Sequence, residues 1–245
     1  MKESENGEGE LEDKTKWLEP IGESIVGTSH IKKGIVCQDA NWSGSFENFR
    51  AMVIADGAGS ADRSQEGSRM TTEKFGLDLL EIAAQLKNRA PQSWINDAII
   101  QSVLDVRQKM RDIAQSDDLS DFHCTLVACL LGPAVSFGIH VGDGALFGGS
   151  FTTEIDQDTV KIDSDLFVSE PENGEYANET FFVTESDWLK HIRVFVLPGN
   201  LDWVALATDG GTALAMERTA NLKNSFMHQA MRIFCDSQDE TKQFY

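Results

Sequence analysis

The stretch Arg50–Ser60, which reads RAMVIADGAGS, decides the fold. Its first part, 50–55, is a short apolar run rich in residues that favour strands, so it predicts a buried strand. The run ends in the step Asp56-Gly57, and an Asp–Gly step after a strand ordinarily marks a turn. A single step of this kind is explained by the turn alone.

The same step recurs at two other predicted strand ends, at Asp143 and at Asp209, and Asp39 follows the first predicted strand. Aspartates at neighbouring strand ends converge in space, where their like charges are costly unless a cation compensates them. Carboxylate and carbonyl oxygens are the ligands that Mg²⁺ and Mn²⁺ accept, and a glycine beside each aspartate lets backbone carbonyls approach. Two such ions would suit hydrolysis of a phosphate ester.

The rest of the chain predicts a layered α+β domain. Strands are expected at 24–29, 50–55, 124–131, 135–141, 145–151, 193–197 and 203–207. Amphipathic patterns predict a helix pair after the second strand, its second helix starting near Pro91, and another pair at about 211–220 and 224–236. Helix pairs in these places suit the opposite outer faces of a β-sandwich. The polar residues 152–180 are expected to form a long loop or flap.

Composition excludes several classes of partner. The 245 residues suit one large domain, and the net charge of −19 would repel nucleic acid and anionic membranes. An enzyme this acidic needs a separate source of positive charge beside a phosphate substrate, which a divalent metal would supply.

Residues 1–17 are acidic and polar, unlike a secretory signal, so we expect a disordered tail, a domain over 18–245 and a cytoplasmic location.

Four segments in order resemble the PP2C-like (PPM) family of metal-dependent protein serine/threonine phosphatases, in its compact bacterial branch. They are Gly27–His30 with Cys37-Gln38-Asp39-Ala40, then Ile54–Ser60, His140–Gly144 and Ala207–Gly210. The resemblance runs from about residue 22 to 236. It implies a four-layer α/β/β/α sandwich with metals at one edge of the two central sheets.

The resemblance also implies roles for individual residues. Asp56 would bridge two Mg²⁺ or Mn²⁺ ions, Gly57 would offer its carbonyl to one, and Asp39 and Asp209 would ligate the other. Asp143 matches the position of a third, weaker metal. With Asp39, Asp56 and Asp209 as the catalytic set, a metal-activated water would attack the phosphorus of phosphoserine or phosphothreonine.

The implied partners are phosphorylated proteins and the bacterial serine/threonine kinase whose action the enzyme opposes. The family often uses a basic residue near the first motif to bind phosphate, for which His30 and Lys33 are candidates.

Departures from the family pattern keep a second interpretation open. Gln38 stands where many members have Glu, which removes one charge from the metal shell, and Ala58 stands where some have His. The family closes with strands that bear a further acidic ligand, whereas Asp236 and Asp239 follow an amphipathic run, so we expect the C-terminal strands to be lacking. These features favour a catalytically inactive, phosphatase-like binding module, and the retained Asp39, Asp56 and Asp209 favour an enzyme.

Overall fold

A computed structural model describes residues 17–87, 94–152, 161–162, 166–172 and 180–215. In chain order its elements are α1 (Thr28–Lys33), β1 (Ala40–Phe46), β2 (Phe49–Ala55), α2 (Ser64–Lys87), α3 (Ile95–Ala114), β3 (Leu126–Leu131), β4 (Phe137–Val141), β5 (Ala145–Gly149), β6 (Phe151–Thr152), β7 (Lys161–Ile162), β8 (Phe167–Ser169), β9 (Arg193–Val196), β10 (Trp203–Ala207) and α4 (Asp209–Ala215). Short 3₁₀ turns lie at Ser120–Phe122 and Trp188–Lys190. The predicted α+β class is confirmed.

Two antiparallel sheets form the centre of the molecule. The larger has the strand order β1-β2-β3-β4-β9, and the smaller has the order β10-β5-β8. Strands β6 and β7 pair separately. Because β4 belongs to the larger sheet and β5 to the smaller one, the turn between them crosses from one sheet to the other at a single edge.

The larger sheet is covered on both faces, which explains why its central strands are apolar without alternation. Successive side chains of a strand point to opposite faces. Leu126, Ala128 and Leu130 of β3 therefore pack in the cluster that includes the helices, and Val127 and Cys129 pack with residues of the smaller sheet.

Helices α2 and α3 cover the outer face of the larger sheet through apolar side chains at helical spacing. Phe75, Leu79 and Ile82 of α2 are buried, as are the α3 residues Ile95, Ile99, Val103, Val106 and Met110. The predicted core stripes of both helices are thus confirmed, although Ile113, at the end of the second stripe, is 44% exposed.

Three sequence-based expectations are corrected. Residues 24–29 do not form a strand: the chain is irregular to Gly27 and then enters α1. Strand β1 was not predicted, because its outer positions carry small polar residues instead of an apolar pattern. Strand β8 lies inside the segment 152–180 that was expected to be a loop.

Other expectations fall outside the described residues. These are the tail up to residue 16, the start of α3 near Pro91 and the helix at 224–236; α4 covers the start of the helix expected at 211–220. Within the described part of the chain, the helices are too short or too polar to cross a bilayer.

Candidate active site

The first two candidate aspartates lie opposite each other because β1 and β2 are antiparallel neighbours. Ala40, the first residue of β1, pairs with Ala55, the last residue of β2. Asp39 precedes this pair and Asp56 follows it, so both aspartates leave the larger sheet at the same edge. The hydrogen bonds from the Asp56 N–H to Thr125 Oγ1 (3.0 Å) and from the Thr125 N–H to the Asp56 carbonyl (2.9 Å) fix the Asp56 backbone.

The other two aspartates leave the smaller sheet at that edge. Asp143 lies in the turn between β4 and β5, and Asp209 follows β10. Since Ala145 of β5 pairs with Ala207 of β10, both aspartates lie just beyond the same end of this strand pair. The convergence predicted from the strand ends is therefore seen at the edge shared by the two sheets.

Three of these carboxyl groups contact one another. The carboxyl group of Asp56 lies next to those of Asp39 and Asp209, and the Thr208 hydroxyl donates to Asp39 Oδ2 at 3.2 Å. Burial, followed by the charges of Asp39 and Asp209, raises the pKa of Asp56 to about 9.

Asp143 is the fourth aspartate of the cluster and lies on the side of the smaller sheet. Burial and then the charge of Asp209 raise the pKa of Asp143. The backbone of Gly142 has φ +103°, and a Cβ there would lie 2.6 Å from Thr125 Cγ2 and 2.9 Å from the Phe181 carbonyl. Glycine is therefore required in the turn that presents Asp143.

A buried polar network supports this turn. His140 is fully buried at the end of β4, and its Nδ1 lies 2.7 Å from Ser169 Oγ and accepts from Arg193 at 2.8 Å. Burial and the charge of Arg193 lower the pKa of His140 to about 3, so the imidazole is neutral. His140 is thus a neutral core residue, and through Nδ1 it joins the Asp143 turn to strands β8 and β9.

Asp56, Asp143 and Asp209 line a cleft of about 230 Å³. Its described lining comprises Asp56, Ala58, Gly59, Ser60, Thr125, Asp143, Thr180, Phe182 and Asp209, none of which is basic. An anionic substrate placed here needs a positive charge from another source. The clustered carboxyl oxygens and the raised pKa of Asp56 fit divalent metal ions as that source.

The aspartates are close enough to repel one another, but they do not form a complete set of ligands around one metal position. Among the described residues, no three Asp, Glu, His or Cys side chains surround one point in a way that could hold an ion. The fit to a metal therefore rests on the chemistry of the donors, which are carboxylate oxygens.

The candidate phosphate-binding residues belong to the segment before Asp39. His30 and Lys33 both lie in α1, and His30 is not among the described residues that line the cleft. Their role stays a prediction. Sequence reasoning missed Thr125, Thr180 and Phe182; the last two lie in or just beyond the polar segment expected to be a flap, where no periodic pattern marked them.

Comparison with known proteins agrees with this geometry. The sequence profile of the family described as protein phosphatase 2C matches residues 26–242. Serine/threonine-protein phosphatase 3 of Escherichia coli (strain K12) is 29% identical over 207 residues, which are 81% of this chain and 75% of that protein.

A solved structure has the same fold at low sequence identity. A bacterial serine phosphatase is 16% identical, with a TM-score of 0.50, and the match covers 75% of this chain and 76% of that one. Serine/threonine phosphatase Stp1 from Staphylococcus aureus is 15% identical, with a TM-score of 0.48 and coverage of 82% and 84%.

The profile match and the relative's name place the chain in a class of phosphatase enzymes. The chain belongs to the protein phosphatase 2C family, whose profile matches most of its length.

Proposed function

We propose that this protein hydrolyses phosphoserine and phosphothreonine in other proteins and that its activity depends on Mg²⁺ or Mn²⁺. One observation carries the proposal: Asp56 lies beside Asp39 and Asp209 and lines a cleft whose described lining has no basic side chain. The names of the relatives, a serine/threonine-protein phosphatase and a bacterial serine phosphatase, support the substrate class.

The same residues supply the ligands in this proposal. Asp56, with Asp39 and Asp209 beside it, would hold two ions together with the carbonyl of Gly57, and Asp143 would contribute to a third, weaker site. When bound, the ions would supply the positive charge and the activation of water that in-line attack at phosphorus requires.

The surrounding residues position these groups. Thr125 fixes the Asp56 backbone, Thr208 donates to Asp39, and the Gly142 turn orients Asp143. Phe182 and Thr180 complete the wall of the cleft against which a phosphorylated side chain would lie. The substrates would be proteins phosphorylated by a serine/threonine kinase, whose action this enzyme would reverse.

The test is hydrolysis of a phosphothreonine peptide by the full chain, with and without Mn²⁺, beside Asp56→Asn and Asp117→Asn. Asp117 is fully exposed and is not among the described residues that line the cleft, so it is a matched change of charge. We expect Mn²⁺-dependent turnover that Asp56→Asn abolishes and Asp117→Asn preserves. Binding of the phosphopeptide without turnover at millimolar Mn²⁺ would instead favour the inactive binding module.

A further inference from the structure

Gln38, the residue before Asp39, is turned towards the start of α2. Its amide nitrogen donates to Ser64 Oγ at 2.6 Å and lies 3.4 Å from the Ala58 carbonyl oxygen. The backbone carbonyl oxygen of Gln38 accepts a hydrogen bond from Ser68 Oγ at 2.5 Å. Side chain and backbone together therefore attach the segment that carries Asp39 to the first turns of α2.

The turn after Asp56 is packed into the same junction. A Cβ on Gly57 would lie 2.7 Å from the Gln38 carbonyl oxygen and 2.8 Å from the Ser64 carbonyl oxygen. Such distances leave room only for glycine. Three backbone segments, those of Gln38, Gly57 and Ser64, are thus in direct contact, and two of them adjoin candidate metal ligands.

The chemistry of the contacts requires an amide at position 38. The Ala58 carbonyl offers only an acceptor, and it already accepts from the Ala61 N–H at 3.0 Å. An amide nitrogen donates to this carbonyl and to Ser64 Oγ, whereas a carboxylate oxygen would repel the carbonyl. The Gln that departs from the family's more common Glu therefore has a structural reason in this chain.

We propose that Gln38 is a positioning residue: through Ser64 and Ala58 it holds Asp39 at a fixed place relative to the Asp56-Gly57 turn, and so sets the affinity of the site for divalent cations. The inference rests on the proposed function for the identity of the ligand. Its physical basis is general, since partners that orient metal ligands contribute to affinity without touching the metal.

The test measures Mn²⁺ binding by isothermal titration calorimetry on the full chain. The variants are Gln38→Met, Ser64→Ala, their combination, and Ser102→Ala as control. Ser102 is also a buried helical serine bonded to a side chain, Asp78, but in α3 away from the cleft. We expect each single variant at the junction to raise the Kd on the order of tenfold.

The double variant, Gln38→Met with Ser64→Ala, distinguishes positioning from other roles of Gln38. Gln38→Met removes the hydrogen bond that Ser64→Ala removes and also the contact with the Ala58 carbonyl, so the double variant should bind Mn²⁺ about as weakly as Gln38→Met alone. Ser102→Ala should leave the Kd unchanged even where it lowers the thermal midpoint. Should Gln38→Met fail to fold, Ser64→Ala, which removes one hydroxyl, still carries the comparison with Ser102→Ala.

Several outcomes would overturn the inference. One is a Kd for Mn²⁺ within about twofold of wild type in both single variants. Another is a double variant in which the increases in Kd of the two single variants multiply. A third is an increase in Kd with Gln38→Met but not with Ser64→Ala, which would make Gln38 itself a ligand. Wild-type protein that binds Mn²⁺ but hydrolyses no phosphopeptide would refute the proposed function and leave this comparison intact. Wild-type protein that binds no Mn²⁺ would refute both.

Discussion

Asp56 follows a buried strand and contacts two other carboxyl groups, so burial and like charge both oppose its ionisation. In the folded protein without metal, its pKa is about 9, far above the value of about 3.9 for an unfolded chain. Between these values the folded state binds more protons than the unfolded state. The free energy of unfolding must therefore decrease as the pH rises through this window, with the full penalty present only above pH 9.

Replacing this carboxyl group should stabilise the metal-free protein while removing its function. We expect Asp56→Asn in EDTA at pH 8 to raise the thermal midpoint by several degrees, since about 1 kcal/mol shifts the midpoint of a domain this size by about 2–4 °C. At pH 4 the difference from wild type should nearly vanish. Differential scanning calorimetry across this range, with the exposed Asp117→Asn as control, checks the prediction.

A result that would contradict it is an Asp56→Asn midpoint equal to or below the wild-type midpoint at pH 8. The carboxyl group would then be stabilised at high pH by a contact that outweighs the charges of Asp39 and Asp209. A higher midpoint for Asp56→Asn than for wild type would instead show that the functional residue Asp56 lowers the stability of the protein.

At the scale of secondary-structure elements, strands were predictable where both faces are covered. Strand β3 lies between the helices and the smaller sheet, so every position is buried and its apolar run was easy to recognise. Asp56, Asp143 and Asp209 were predictable for the same reason, because each follows a recognisable strand. Asp39 was expected to follow a strand at 24–29 that does not form, and it lies directly before β1 instead.

Elements that depend on distant partners were not predictable. Residues 24–29 have a local strand pattern, but Ile25 is 78% exposed and no described strand pairs with the segment, so the backbone hydrogen bonds of a strand have no ladder to join. Strand β1 has the opposite character: small polar residues interrupt its apolar positions, and its pairing with β2 from Ala40 to Phe46 holds it in place. Gln38 likewise needed the position of α2 to be interpreted.

The segment that carries Phe182 is held by two neighbouring elements. The Val183 N–H donates to the Cys124 carbonyl at 3.0 Å, and Arg107 of α3 donates to the Val183 carbonyl at 2.6 Å. The Phe182 ring stacks on His123, with centroids 4.7 Å apart and an interplanar angle of 14°. Because backbone and ring are both fixed, Phe182 forms a rigid part of the cleft wall.

Loss of the aromatic ring should weaken substrate binding more than turnover. We expect Phe182→Leu to raise the KM for a phosphothreonine peptide about fivefold with little change in kcat, because an aromatic contact contributes about 0.5–1.5 kcal/mol beyond its buried area. Phe181→Leu is the matched control, since Phe181 stacks on His191 and is not among the described lining residues. Equal effects of the two variants would assign the change to the stability of the segment.

For the whole molecule, the net charge of −19 acts on any substrate before contact. The surface potential of such a protein attracts basic peptides and repels acidic ones, and dissolved salt screens it over a Debye length of about 10 Å at 0.1 M. Protein substrates should therefore be selected partly by the charge of the residues that flank the phosphorylated side chain, independently of the contacts in the cleft.

Two phosphothreonine peptides that differ only in flanking Lys or Glu residues test this selection. At an ionic strength of about 0.01 M, we expect kcat/KM for the Lys peptide to exceed that for the Glu peptide on the order of tenfold, and the ratio to approach one near 1 M, where the Debye length is about 3 Å. A peptide with uncharged flanks should change little over this range and serves as the control for salt effects on the metal site. A ratio that stays constant with salt would assign the preference to short-range contacts, because only the long-range field of the acidic surface is screened.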